Sequence, residues 1–272
     1  MFQSWPIFVS LNPEYITLFL KPSLSYLELP ASQGWPKPWV IHDMGACKSN
    51  KTCRQSCRVL TKGSTAYPNA TGHNDGQAEQ MPLFETSSLF ILLLAYQKYT
   101  GDTDFAQQHR SLLEGYASYL VDNSLYPASE LISVDAIPAT ANQTGLAIQS
   151  AIGLKAASVI LDDTSLADKA DSYSKTIYQD GLGLDGNDPS DSSHFTYNYG
   201  KSTTWNVLFS SFSDVLLDLK TFPLEAWELQ SKWYESQISE LGLAFAGPSD
   251  NLDYIGEPFY WGLVDWSKFS PP

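Results

Sequence analysis

A chain of 272 residues, 43% hydrophobic and 17% charged, is long enough to bury roughly three quarters of its surface in one domain, which excludes wholesale disorder. Thirty acidic against sixteen basic side chains give a net charge of −14, a field that repels phosphate backbones and anionic lipid. Nucleic acid and membrane are therefore poor partners. The 8 Trp, 15 Tyr and 13 Phe point to a packed core or to a pocket for a small-molecule substrate.

The first thirteen residues carry no Lys or Arg, include Pro6 and lack a small-x-small cleavage site, so they do not read as a signal peptide. No uninterrupted apolar run reaches the roughly 18 residues of a membrane span, the most apolar stretch being Leu89 to Tyr96. Sequons at Asn50, Asn69 and Asn142 nevertheless suit a secreted protein, which suggests a piece of one without its leader. Asn12-Pro13-Glu14 then opens a helix that ends before Pro30. Gln33 to Gly45, with Trp35-Pro36-Lys37-Pro38-Trp39, reads as a stiff extended loop.

Residues 47–65 differ from everything around them. Cys47, Cys53 and Cys57 lie here among five basic residues and no acid, and the rest of the chain has no cysteine. The cysteine spacings fit neither a paired zinc motif nor a redox pair, and one disulfide would leave a thiol over. An inserted basic, Cys-rich surface loop explains the change in composition more simply. Such a segment should be removable, with three free thiols in the intact chain.

Beyond it, Met81-Pro82 starts the longest helix, stopped by Gly101-Asp102, and Asp104 to Val121 returns as its antiparallel partner. A second pair covers roughly Asn142 to Leu161 and Ser165 to Tyr178, and a third about Thr204 to Leu219 and Pro223 to Gln237, with long polar loops between and no strand ladder. This rhythm predicts an all-α fold, a partial (α/α)6 toroid of about three and a half hairpins with long loops on one rim. The toroid domain spans 12–237 and residues 238–272 form a tail outside it.

Candidate chemistry gathers in the rim loops. Glu85 and Asp135 are the carboxylates best placed to move protons, while His42, Asp43, His73, Asp75 and Trp205 could bind substrate. Trp35, Trp39 and His194 stand near the same loops, and His109 falls alone in mid-helix. A helix N-terminus accounts equally for Glu85, and a turn for Asp135. No two histidines share the i, i+4 spacing of a helical metal site, so neither metal nor cofactor is expected.

Ile41-His42-Asp43-Met44-Gly45, then Tyr67 to Gly76 reading Tyr-Pro-Asn-Ala-Thr-Gly-His-Asn-Asp-Gly, then Glu79-Gln80-Met81-Pro82, resemble the fungal glutaminase A family. The likeness continues through Thr100-Gly101-Asp102, Tyr126-Pro127-Ala128, Ala141-Asn142-Gln143-Thr144 and the Trp205 to Leu217 stretch. It implies an extracellular enzyme that hydrolyses L-glutamine to glutamate and ammonia. The implied architecture is a six-hairpin glycosidase-like toroid behind a β-rich N-terminal domain. A carbohydrate-active toroid protein and a non-catalytic fragment are the alternatives. The family's acidic pairs appear here as Phe84-Glu85 and Val134-Asp135, each with only its second acid. If either missing acid is catalytic, this protein is inactive.

Overall fold

The computed structural model describes residues 2–30, 35–42, 81–132, 139–240, 242–247 and 260–261. The Cys-rich segment 47–65, its thiols and the sequons at Asn50 and Asn69 lie outside the described residues. The fold is all-α, with helices paired in sequence as α1 (Trp5–Leu11) with α2 (Glu14–Leu27), α3 (Pro82–Thr100) with α5 (Arg110–Asn123), and α6 (Thr144–Leu161) with α7 (Thr164–Ser174). A shorter final pairing joins α8 (Phe212–Leu216) to α9 (Leu224–Gln237).

Two helices are buried on every side and form the inner layer. From Leu83 to Tyr96 every residue of α3 is buried except Glu85, and α6 is buried over 83% of its length. Helix α6 is long and apolar enough to cross a membrane, but its burial marks it as the core helix of this domain. The outer helices α5 and α7 bury one stripe each, Leu113, Tyr116, Ala117 and Leu120 in the first and Leu166, Ala170 and Tyr173 in the second. Their i, i+3, i+4 spacing sets that face against the inner pair.

Helix termini follow the residues at them. Pro82 supplies the first turn of α3, and Gly101 ends it at φ +78°, with its N–H donated to the Gln97 carbonyl. Asp102 accepts from the amides of Asp104 (2.9 Å) and Phe105 (3.2 Å), starting the short α4 (Asp104–Gln107). The expected single helix from Asp104 to Val121 breaks at Gln108-His109, so His109 precedes α5 instead of lying in mid-helix, and its Nδ1 contacts Glu28 Oε1 at 2.7 Å. That tertiary contact ties the break to the end of α2.

The inner helices cross at small residues. A Cβ on Gly153 of α6 would lie 2.6 Å from Ser87 Cβ and 2.8 Å from Ser87 Cα of α3. Backbone cannot yield cheaply at that distance, so Gly153→Ala is expected to cost about 1–3 kcal/mol by overpacking even after the helix-propensity gain. Gly115, exposed on α5 with nothing within 4 Å of its added Cβ, is the control. Gly115→Ala should gain about 0.5–1 kcal/mol. Thermal unfolding of both variants checks the pair: Tm falls in the first and rises in the second.

The structure adds one element to the sequence reading and corrects another. The N-terminal segment is helical: α1 buries Trp5 against Phe212, ring centroids 5.5 Å apart, and the Trp5 indole donates to Ser213 Oγ at 3.4 Å. The expected helix from Thr204 is instead strand β1 (Trp205–Asn206), a 3-10 turn at Phe209–Ser211 and only then α8. Strand β1 pairs antiparallel with β3 (Ala246–Gly247), and β2 (Leu243–Ala244) pairs with β4 (Tyr260–Trp261), so short strands do occur. Gly247 permits the first pairing, since a Cβ there would meet the Trp205 indole at 2.6 Å. The C-terminal residues Phe245 and Ala246 are thus part of the core.

Candidate active site

Inner helices present their N-terminal ends to the long loops, and there α3 carries Glu85, the one residue between Leu83 and Tyr96 that is not buried. Glu85 Oε1 lies 2.6 Å from His42 Nδ1, with the two side chains 20% and 29% exposed. The segment bearing His42 is pinned to the same turn by Val40, whose N–H donates to Thr86 Oγ1 at 3.0 Å. Residues 43 positions apart are thereby brought together at an accessible point of a helix that is otherwise buried from Leu83 to Tyr96. A carboxylate and an imidazole in this contact can hold a proton between them or pass it to a third group.

A second carboxylate stands behind this pair. Glu130, 3% exposed, accepts from the backbone N–H of Leu83 (3.1 Å) and Phe84 (2.8 Å) and so caps α3, whose Met81 cap residue supplies no side-chain bond. Burial pushes the Glu130 carboxyl up to about 8, outweighing those two donors, and the nearby Glu85 pushes in the same direction. Gln143 Nε2 fixes the local backbone by donating to the carbonyls of Glu130 (2.7 Å) and Thr140 (3.0 Å). Glu130 was not legible as a site residue: it is the only acid between Asp122 and Asp135, but sequence spacing does not reveal a partner 46 residues away.

The raised Glu130 pKa has a definite sign for stability. The folded protein holds a proton that the unfolded chain releases near its ordinary value of 4.5, so this contribution is full below that pH and is lost as pH rises through about 8. Wild-type protein should therefore lose stability from pH 5 to 8 relative to Glu130→Gln, by at most about 1.4 kcal/mol per pH unit. Urea titrations of both proteins at several pH values read the difference directly.

Beside the first turn of α6 lies a narrow cleft with room for about one water molecule, lined among the described residues by Phe84, Ile132, Gly145, Leu146, Gln149, Asn206, Val207, Leu208 and Ser210. Gln149 forms one wall, and its Nε2 lies within donating distance of the Phe84 carbonyl at 3.1 Å and of Ser87 and Ser88 Oγ at 3.0 Å each, sharing two hydrogens among three acceptors. Asn206 Oδ1 is buried with no hydrogen-bond partner among the described residues.

The other sequence-derived candidates fall in different places. Asp43, His73, Asp75 and Asp135 lie outside the described residues. Trp205 is buried, its ring 6.4 Å from Tyr234, while its neighbour Asn206 reaches the cleft. Trp35 is buried with its indole donating to the Trp39 carbonyl, and Trp39 packs on Tyr119 at 5.3 Å. His194 is a buried anchor: its ring stacks on Trp233 at 4.0 Å, Nδ1 meets Ser193 Oγ at 2.9 Å and Nε2 meets the Thr204 carbonyl at 3.2 Å. Burial holds its pKa below the ordinary histidine value. Among the described residues no three His, Cys, Asp or Glu side chains converge as a metal site would require.

A family model described as the glutaminase A six helical-hairpin domain matches residues 1–56 and 63–260. The chain belongs to the glutaminase A six-hairpin family. Within the glutaminase A family it is 32% identical over 251 residues to a protein of Aspergillus oryzae named Glutaminase A, covering 89% of this chain and 32% of that protein. It is also 22% identical, across an alignment of 334 residues, to a protein of Arthroderma benhamiae named as a probable glutaminase, covering 89% of this chain and 35% of the relative. The chain spans about a third of the length of these curated glutaminase relatives. The family match continues through residues 238–260 and is interrupted only at 57–62, inside the Cys-rich segment.

Proposed function

We propose that the chain carries glutaminase chemistry, hydrolysing the side-chain amide of L-glutamine to glutamate and ammonia. The observation that supports this most is the 2.6 Å contact between His42 and Glu85 at the accessible end of a buried inner helix. The names of its relatives supply the substrate.

In this reading the His42–Glu85 pair takes a proton from water as the water oxygen bonds to the amide carbon. The carbon–nitrogen bond then breaks, and the leaving nitrogen takes up a proton to depart as ammonia. Asp135 is the second proton mover in the proposal, and Asp43, His73 and Asp75 are its substrate-binding residues. Phe84, where the family carries an acid, packs 5.9 Å from Phe2 and cannot move a proton, so the proposal places that role on Glu85 with His42. A carbohydrate reading gains nothing from Trp205, whose ring is buried.

An extracellular location is part of the same proposal. Asn142, in the sequon Asn142-Gln143-Thr144, is exposed at φ +57° just before α6 and is open to a glycan. Ammonia release from L-glutamine by the purified chain tests the function. Release proportional to enzyme concentration supports it, and release no greater than the buffer blank contradicts it.

A further inference from the structure

The first turn of α3 has two sides. On the open side stand Glu85 and His42, and on the dry side stands the buried carboxyl of Glu130. We propose that Glu130 is a positioning residue for the His42–Glu85 pair: it grips the first turn of α3 from within the core and so fixes where the Glu85 carboxylate meets the imidazole. The inference rests on the amide-hydrolysis reading, whose reacting pair it supports.

Two backbone donors need an acceptor at this turn. Pro82 has no N–H, and the Glu85 N–H already meets the Met81 carbonyl at 3.0 Å, so the open donors are those of Leu83 and Phe84. Each reaches a different oxygen of one carboxyl, Oε2 for Leu83 at 3.1 Å and Oε1 for Phe84 at 2.8 Å. A grip at two points sets the direction of the turn as well as its position, and both oxygens can accept whether the group is ionised or protonated. A cap of the usual kind comes from the residue at the helix start, but Met81 makes no side-chain bond. Supplying the acceptor from the dry side leaves the open side of the turn to Glu85 and His42.

Glu130 is itself held through both of its backbone groups. Its N–H donates to the Thr140 carbonyl at 3.4 Å, and its carbonyl accepts at 2.7 Å from Nε2 of Gln143, the residue just before α6. The openings of the two inner helices are thereby joined through one residue. From there the grip passes along the turn: Phe84 leads directly to Glu85, and Thr86 Oγ1 takes the Val40 N–H at 3.0 Å, two residues before His42. Both members of the pair therefore hang on the turn that Glu130 holds. A misplacement of about 1 Å can cost about a hundredfold in rate, which is the scale of effect a loosened first turn would have on the 2.6 Å contact.

Kinetics and NMR on the full chain separate positioning from stability alone. Glu130→Ala removes both acceptors, and kcat for ammonia release from L-glutamine is expected to fall about 10–100-fold with KM little changed. Glu130→Gln keeps one acceptor oxygen but turns an NH2 group towards the second donor, so its kcat should fall between wild type and alanine; it carries the test if the alanine protein does not fold. Without substrate, the 15N resonance of His42 Nδ1 reports the contact with Glu85, and in the Glu130 variants it should move towards its position in Glu85→Ala. Asp214→Asn, which weakens a turn bonded to Thr221, Phe222 and Trp227, should lose stability with kcat and that resonance unchanged. Glu130 variants that lose stability but keep kcat and the His42 resonance, or that raise KM at unchanged kcat, would overturn the proposal. The two readings fail separately. A moved resonance in a chain whose wild type releases no ammonia keeps the positioning and removes the hydrolysis, whereas full ammonia release by folded Glu130→Ala keeps the hydrolysis and removes the positioning.

Discussion

Asp214→Ala is expected to destabilise the fold by about 3–5 kcal/mol, lowering Tm by roughly 10 °C. Asp214 is 2% exposed, and its carboxylate accepts from the backbone N–H of Thr221 (2.9 Å) and Phe222 (3.1 Å) and from the Trp227 indole (3.3 Å). One side chain therefore holds the whole turn between α8 and the start of α9. Alanine leaves three donors without an acceptor in a dry interior, each costing about 1–3 kcal/mol, and adds a small cavity. Burial raises the Asp214 pKa, so the charged form bears a desolvation cost that the three donors offset only in part. Asp214→Asn keeps an acceptor oxygen and should lose less than half as much. Chemical denaturation of the two variants beside wild type measures both, and equal, small losses would show that the turn is held elsewhere.

The role of Asp214 illustrates where sequence reading stops. Helices α3 and α6 were legible because local signals agree: Pro82 at one end and Gly101 at the other of α3, and in α6 a long apolar-rich segment interrupted only by Gln149, Ser150, Lys155 and Ser158 after its first turn. Helix α1 was missed because Pro6 in an apolar run reads as an interruption, when at the first turn of a helix it costs nothing. The stretch after Thr204 has helical spacing, yet strand β3, some forty residues later, captures Trp205 and Asn206 into a β pairing. Long-range pairing of that kind leaves no local periodic trace.

The candidate site divides in the same way. Glu85 was legible from its place in the first turn of α3, and His42 from its motif. Their contact was not, since it depends on how the segment after Trp35 folds back on α3. Glu130 and Asn206 are ordinary polar residues in sequence, and only burial distinguishes them, as a helix cap in one case and an amide oxygen without a partner among the described residues in the other.

The largest functional effect is expected at Glu85. Glu85→Gln keeps the size of the side chain and an oxygen for His42, but it cannot take up or give a proton at neutral pH. Since a positioned acid or base contributes typically about 10²–10⁴ in rate, kcat for ammonia release from glutamine should fall by that factor. Stability should change little, because Glu85 is partly exposed and its backbone N–H is bonded to the Met81 carbonyl at 3.0 Å irrespective of the side chain. The decisive measurement is kcat of wild type and Glu85→Gln on L-glutamine, with Tm recorded for each protein. A fall of at least a hundredfold at unchanged Tm is the result expected if this rim of α3 is the reacting centre, and equal kcat in the two proteins would contradict it.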